Sequence, residues 1–214
     1  MAAGLREVED YQLPAGGDIP APLVPWAVDP KRAALLVHDM QVYFLNAFAS
    51  APALRRELIE NTRAVLVAAR AAGVPVIYSA QPGSMTPEQR GLLVDLWGPG
   101  MQATEDERAV IAELAPTAEE TVLTKWRYSA FHRSPLLDTL HNAGRDQLII
   151  TGIYAHLGVI ATALDAYAND VQTFIVADAT PTFSEAEHRQ ALDFAATSCA
   201  VVAGTADVVA GVTR

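Results

Sequence analysis

The sequence predicts an α/β protein, a three-layer α/β/α sandwich around a central, mostly parallel sheet. Three observations carry this expectation. Short, wholly apolar runs recur along the chain, longer amphipathic stretches separate them, and 214 residues at 51% hydrophobic and 19% charged suffice for one substantial core. Strands buried on both faces read as continuous apolar runs, and parallel neighbours need a covering crossover helix of fixed right hand.

Residues 1–30, which include LPAGGDIPAPLVPW, are rich in Pro and Gly and resist both helix and central strand. They are predicted to form an extended arm with little chemistry, leaving 31–214 as a single domain. AALLV at 33–37 is the first strand, and an amphipathic pattern over 53–72 predicts a helix stopped by Gly73. VPVIYS at 74–79 is the second strand. The stretch 81–120 is irregular and reads as an insertion over the sheet, with a short helix near 105–114. TVLTK at 121–125 is the third strand, followed by a helix over 134–143. QLIIT at 147–151, a helix over 158–169, QTFIVA at 172–177 and a helix over 184–197 continue the alternation, and CAVVA near 199–203 supplies a sixth strand.

Charge and composition exclude several function classes. With 15 Lys and Arg against 25 Asp and Glu, the net charge is −10, and no local basic stripe relieves it. Nucleic acids and anionic membranes are therefore excluded as partners. The one cysteine, Cys199, cannot form an internal disulfide, and MAAGLREVEDYQLP lacks the apolar core of a signal peptide, so a cytoplasmic protein is expected. No apolar run reaches the roughly 18 residues needed to cross a bilayer. The histidines at 38, 132, 141, 156 and 188 show no HExxH or i, i+4 spacing, and no metal site is expected. GxGxxG after a strand, GxxxxGK[ST] and GxSxG are all missing, which leaves nucleotide binding and a serine nucleophile elbow unsupported.

Ligands of open parallel sheets bind outside the carboxyl ends of the strands, so the polar residues that follow each apolar run are the candidates. They are His38 and Asp39; Gln81; Lys125 with Trp126, Arg127 and Tyr128; Tyr154, His156 and Gly158; and Asp178. Asp39 and Lys125 form the candidate catalytic pair, because an acid and an amine in a partly buried cleft tune each other's proton affinity. A structural ion pair is the alternative. Gly158 reads as the opening of a helix whose N–H groups face an anion, or simply as a tight strand-to-helix turn. Arg90, in QPGSMTPEQRGLL, is either a cation reaching a carboxylate from a covering loop or a solvated surface arginine.

LLVHDMQVYFL (35–45), QPGSMTPEQRGLLVDLWGPGM (81–101), KWRYSAFHRSPL (125–136), GRDQLIITGIYAHLGVIATALDAY (144–167) and VADATPTFSEAEH (176–188) resemble the isochorismatase branch of the isochorismatase-like hydrolases. The similarity runs over about residues 10–205, and it implies the sandwich inferred above and a homodimer. Amidase members of that family use an Asp, a Lys and a Cys nucleophile, and the position matching the Cys is Gly158. Covalent acyl transfer therefore lacks its nucleophile here. The isochorismatase branch hydrolyses a vinyl ether with no covalent intermediate, metal or cofactor, and none is expected.

By this resemblance Asp39 is the general acid that protonates an enolpyruvyl methylene, and Lys125 orients it and binds substrate. A free Asp titrates near 3.9, so the substrate's own carboxylates and the exclusion of water are expected to keep Asp39 protonated. Gln81, Arg90 and Tyr154, with the backbone at Gly158, are expected to hold carboxylate and ether groups, and Phe44 and Trp97 to form apolar walls. The family also admits a non-proline cis peptide before the residue matching Tyr154.

The same resemblance implies a chorismate-derived dianion as substrate, either isochorismate or its 2-amino analogue. Siderophore enzymes of this kind often carry a C-terminal carrier domain, for which a chain ending in TADVVAGVTR leaves no room, and PGSMT at 82–86 resembles the phenazine-pathway hydrolase. The amino substrate is favoured on these grounds. An amidase and a non-enzymatic scaffold are the rival readings from other classes.

Overall fold

In the computed structural model, which describes residues 4–214, six strands form one sheet: β1 (Ala33–His38), β2 (Val76–Ala80), β3 (Thr121–Thr124), β4 (Gln147–Gly152), β5 (Gln172–Val176) and β6 (Ala200–Ala203). Their order is β3-β2-β1-β4-β5-β6, and every neighbouring pair is parallel. The order reverses between β1 and β4, where doubly wound sheets open a crevice for ligands.

The period-2 geometry of β1 divides its side chains between two cores. Ala33, Leu35 and Val37 join one apolar cluster, and Ala34 and Leu36 join the other. Helices α1 (Val42–Leu45) and α2 (Pro52–Ala71) follow β1, and α2 buries Leu54, Leu58, Val65 and Leu66 against the first cluster. Pro52 occupies its first turn, where a missing N–H costs nothing, and Gly73, at φ +68°, ends it. The insertion holds α3 (Pro87–Arg90), α4 (Leu93–Trp97) and α5 (Glu105–Arg108). On the opposite layer α6 (Leu136–Asn142), α7 (Ile160–Ala168) and α8 (Glu185–Ser198) cover the second cluster. The side chain of Ser184 caps α8 by accepting from the Glu187 N–H. α9 (Thr205–Val212) returns to the first layer through Val208 and Val212.

Three expectations need correction. The helix near 105–114 is interrupted: α5 stops at Arg108, and Ala109–Ile111 run extended, with Val110 bridged to Gln41 and the Ile111 N–H bonded to the Met40 carbonyl. The β-branched Val110–Ile111 pair suits that extended path better than a helix. The helix expected from Gly158 begins later, at Ile160, after one π-helical turn over Ala155–Val159. The arm is extended as expected apart from a 3₁₀ turn at Gly16–Asp18, yet Val8 is a core residue at 1% exposure, and Tyr11, Val24 and Trp26 pack on the same cluster. Among the described residues no helix is long and apolar enough to cross a membrane.

Two histidines are sealed inside this framework. Burial pushes His38 and His188 down to about 4 each, so both fold neutral. Unfolded, each titrates near 6.5, and between pH 6.5 and 4 the unfolded chain binds more protons. Stability is therefore full above pH 6.5 and falls on acidification, by up to about 3 kcal/mol for each histidine. Thermal melts from pH 7 to pH 4.5 should show this decline, with a shallower slope in His188→Phe; a midpoint that stays flat across the window would contradict it.

Candidate active site

The site lies at the carboxyl ends of β1–β4. Asp39 follows β1 directly and adopts φ +52°, a left-handed conformation uncommon outside glycine but better tolerated by Asp than by most residues. Its N–H bonds the Ser79 carbonyl at the end of β2, and the Lys125 N–H bonds Ala80 in the same way from the end of β3. These backbone ties bring the two side chains together: Lys125 Nζ donates to Asp39 Oδ2 at 2.7 Å, and Ser79 Oγ donates to Oδ1 at 2.7 Å. Lys125 is 3% exposed and Asp39 5%, so the ion pair is screened from bulk water.

Beside the pair is a cleft with roughly 540 Å³ of space not filled by atoms, counted out into the open solvent at its mouth. Asp39, Lys125, Gln81, Arg90, Tyr154, Gly158, Phe44 and Trp97 all line it, as does Tyr128, whereas the other strand-end candidates, His38, Trp126, Arg127, His156 and Asp178, do not, and Asp178 instead accepts from the N–H and hydroxyl of Thr205. Phe44 and Trp97 form apolar walls, and the Trp97 Nε1–H is held by the Tyr128 hydroxyl at 2.6 Å.

Arg90 is the most informative of them. It is 5% exposed, its Nε donates to the Gly98 carbonyl at 2.9 Å, and one terminal nitrogen donates to Gln81 Oε1 at 3.0 Å. Among the described residues no carboxylate lies within ion-pair distance of it. Burial draws its proton affinity below the ordinary arginine value. A buried guanidinium without an acid is costly unless an anion completes it, so the solvated-arginine alternative is excluded. Gly100, at φ +78°, makes its place: a Cβ there would stand 2.6 Å from the guanidinium carbon.

Two expected roles change. Tyr154, joined to Ile153 by a cis peptide bond, directs its hydroxyl to the Phe44 carbonyl at 2.7 Å. Its ring, stacked at 4.4 Å on Phe183, is therefore wall rather than hydrogen-bond donor to a ligand. Gly158 does not open a helix but sits inside the π-helical turn, and its carbonyl accepts from Thr162 Oγ1. The requirement at this position is steric. A Cβ on Gly158 would stand 2.3 Å from Cε1 of His38, whose ring is fully buried and whose Nδ1 bonds the Ile153 carbonyl at 2.7 Å.

The sequence reading missed Ser79, Gln41 and Leu5. Ser79 closes the VPVIYS run, and a polar residue ending a buried strand was the available signal. Gln41, 0% exposed, clamps Gln81 reciprocally: Nε2 donates to the Gln81 carbonyl at 2.9 Å, and Oε1 accepts its N–H at 2.8 Å. Leu5 brings the supposedly inert arm into the lining of the cavity.

A three-layer α/β fold with an acid–amine pair and, among the described residues, a buried guanidinium without an acid in one cleft has the make-up of an enzyme site. Residues 33–207 match the Isochorismatase domain. The chain is 51% identical to phenazine biosynthesis protein PhzD1 of Pseudomonas aeruginosa, over 97% of this chain and 99% of that protein. It is 48% identical to an isochorismatase of Bacillus subtilis, over 90% of this chain and 62% of that protein. A crystal structure of a cysteine hydrolase from Pseudomonas syringae superimposes with a TM-score of 0.81 at 26% identity, covering 90% of this chain and 97% of that one. The chain belongs to the isochorismatase family of hydrolases.

Its one cysteine is no nucleophile for this cleft. Cys199 is 3% exposed, belongs to the second core cluster, and has its thiol pushed up to about 11 by burial. Placing a thiol in the cleft by Gly158→Cys should fail for the steric reason above, lowering the melting temperature by several degrees and creating no amidase activity. A Gly158→Cys protein that melts with wild type would show that the His38 ring yields freely.

Proposed function

We propose that the protein is a vinyl-ether hydrolase that releases pyruvate from 2-amino-2-deoxyisochorismate, giving 2,3-dihydro-3-hydroxyanthranilate. The observation that carries this reading is the buried Asp39–Lys125 pair facing the same cleft as an Arg90 that has no acid partner. The pair supplies a proton at a fixed place, and the guanidinium supplies the counter-charge for a carboxylate.

The steps follow from these positions. A substrate carboxylate held by Arg90 brings a second negative charge beside Asp39, and like charges sharing a site favour a proton on one of them. The Asp39 carboxyl then donates that proton to the terminal methylene carbon. A C–H bond forms as the vinyl π pair moves, and the ether oxygen shares the resulting positive charge as an oxocarbenium ion. Water adds to the cationic carbon and returns a proton to Asp39. The resulting hemiketal breaks its bond to the ring oxygen, which takes up the hydroxyl proton, releasing pyruvate and the cyclohexadiene alcohol. Lys125 and Ser79 hold the two carboxyl oxygens of Asp39 throughout, and the neutral His38 adds no charge beside it.

The amino substrate is favoured by similarity to the phenazine relative over nearly the whole of both chains. Isochorismate, giving 2,3-dihydro-2,3-dihydroxybenzoate for siderophores, is the second reading, supported by the Bacillus relative. With its one cysteine free and buried, the protein needs no oxidising compartment, and we place it in the cytoplasm.

Pyruvate release from both substrates, coupled to lactate dehydrogenase and followed with chelated protein, tests the reading. Wild type should turn over at least one substrate, and the ratio of kcat/KM values identifies which. Asp39→Asn should lose about 100-fold or more in kcat, the ordinary worth of a general acid, whereas Arg90→Ala should raise KM more than it lowers kcat. Near-normal turnover by Asp39→Asn would overturn the mechanism.

A further inference from the structure

The arm has two differently held parts. Residues 8–11 are pinned: the Val8 N–H bonds the Ala47 carbonyl and the Glu9 N–H the Phe183 carbonyl, both at 2.8 Å, while the Tyr11 hydroxyl accepts the Thr182 N–H at 2.9 Å. Residues 4–7 donate no backbone hydrogen bond of this kind. Their tip is held by side chains instead. Leu5 lines the cavity together with Leu93, Trp97 and Leu157, and Arg6 sets its guanidinium 4.5 Å from the centre of the Phe183 ring and 2.6 Å from Glu187. Phe183 in turn stacks on Tyr154 at 4.4 Å and on Trp97 at 6.0 Å, so Arg6 grips a ring that backs two residues of the cavity wall.

We propose that Leu5 is a specificity-determining residue, the gate that completes the apolar wall over the bound ring, and that Arg6 is the positioning residue that holds it shut. The proposal rests on the cleft being the substrate site. Exposed ion pairs and surface cation–π contacts are individually weak, so a tip held by one of each and by the partly buried Leu5 side chain opens readily for substrate entry. Residues 8–11, fixed by their backbone bonds, form the hinge and keep the gate in register. Lid segments of this kind sequester reacting groups from water, which suits a cationic intermediate whose capture must be confined to one molecule.

Steady-state kinetics of Leu5→Ala should show KM for the preferred diene raised about fivefold or more with kcat within about twofold, because the lost contact serves binding rather than proton transfer. Its melting temperature should fall by no more than a few degrees, since Leu5 packs only on the edge of the core and Val8 anchors the arm. A second measurement reads the gate directly. Leu5→Cys introduces the one reactive thiol, the native Cys199 being buried, and its labelling by a disulfide reagent should slow several-fold at saturating substrate. Adding Arg6→Ala to Leu5→Cys should speed labelling of the free enzyme several-fold. A Leu5→Ala enzyme with wild-type KM, or labelling indifferent to both substrate and Arg6, would overturn the gate. Should wild type release no pyruvate from either diene, the functional reading falls, and the Arg6 labelling comparison still decides whether the tip is a gate.

Discussion

The contact on which the rest of the site depends is the 2.7 Å bond between Asp39 and Lys125. Each residue stands one step past a parallel strand, Asp39 past the buried β1 and Lys125 past the edge strand β3, and each N–H is bonded to a carbonyl at the end of β2, so the sheet itself sets their separation. The left-handed backbone at Asp39 is the local cost of turning that carboxylate toward the cleft rather than onward along the strand. An ion pair buried to this degree adds little to stability by itself, because desolvation offsets attraction. Its place at the carboxyl ends of β1 and β3, facing the cleft, is better explained by chemistry than by folding.

A second constraint separates this cleft from a thiol hydrolase. His38 occupies the volume that a side chain at position 158 would need, and its ring is fixed by the Ile153 carbonyl on the neighbouring strand end. Glycine at 158 is thus a consequence of histidine at 38, and reaction type follows from packing behind the site as much as from groups inside it. The same economy governs Arg90. Gly98 and Gly100 bend the loop around its guanidinium, Gln81 takes one of its donors, and the remaining charge is left for a ligand.

The sheet was legible because its inner strands, covered on both faces, must be apolar throughout; all six predicted runs coincide with observed strands to within two residues at either end, CAVVA losing only Cys199. Asp39, Lys125, Gln81 and Arg90 were legible because polar residues that end apolar runs, or ride on the loop above them, have few other places to go. α9 was not legible, since TADVVAGVTR contains Gly211, a poor helix former whose reason is three-dimensional: a Cβ there would lie 2.9 Å from Val28. Leu5 was equally invisible, because one leucine in a Pro- and Gly-rich arm carries no periodicity, and only the folded path of the arm brings it to the cavity. The π-helical turn at Gly158 depends on how the chain leaves β4, which local pattern does not encode.

General-acid attack on carbon and base-assisted attack of water on the ring make opposite statements about the ether oxygen. Hydrolysis of 2-amino-2-deoxyisochorismate in oxygen-18 water, with mass analysis of the cyclohexadiene alcohol, separates them. If Asp39 protonates the methylene, the ring keeps its original oxygen and the alcohol is unlabelled. Label in the ring alcohol would mean that water displaced the enolpyruvyl group at the ring carbon, with Asp39 as a base, and would contradict the account.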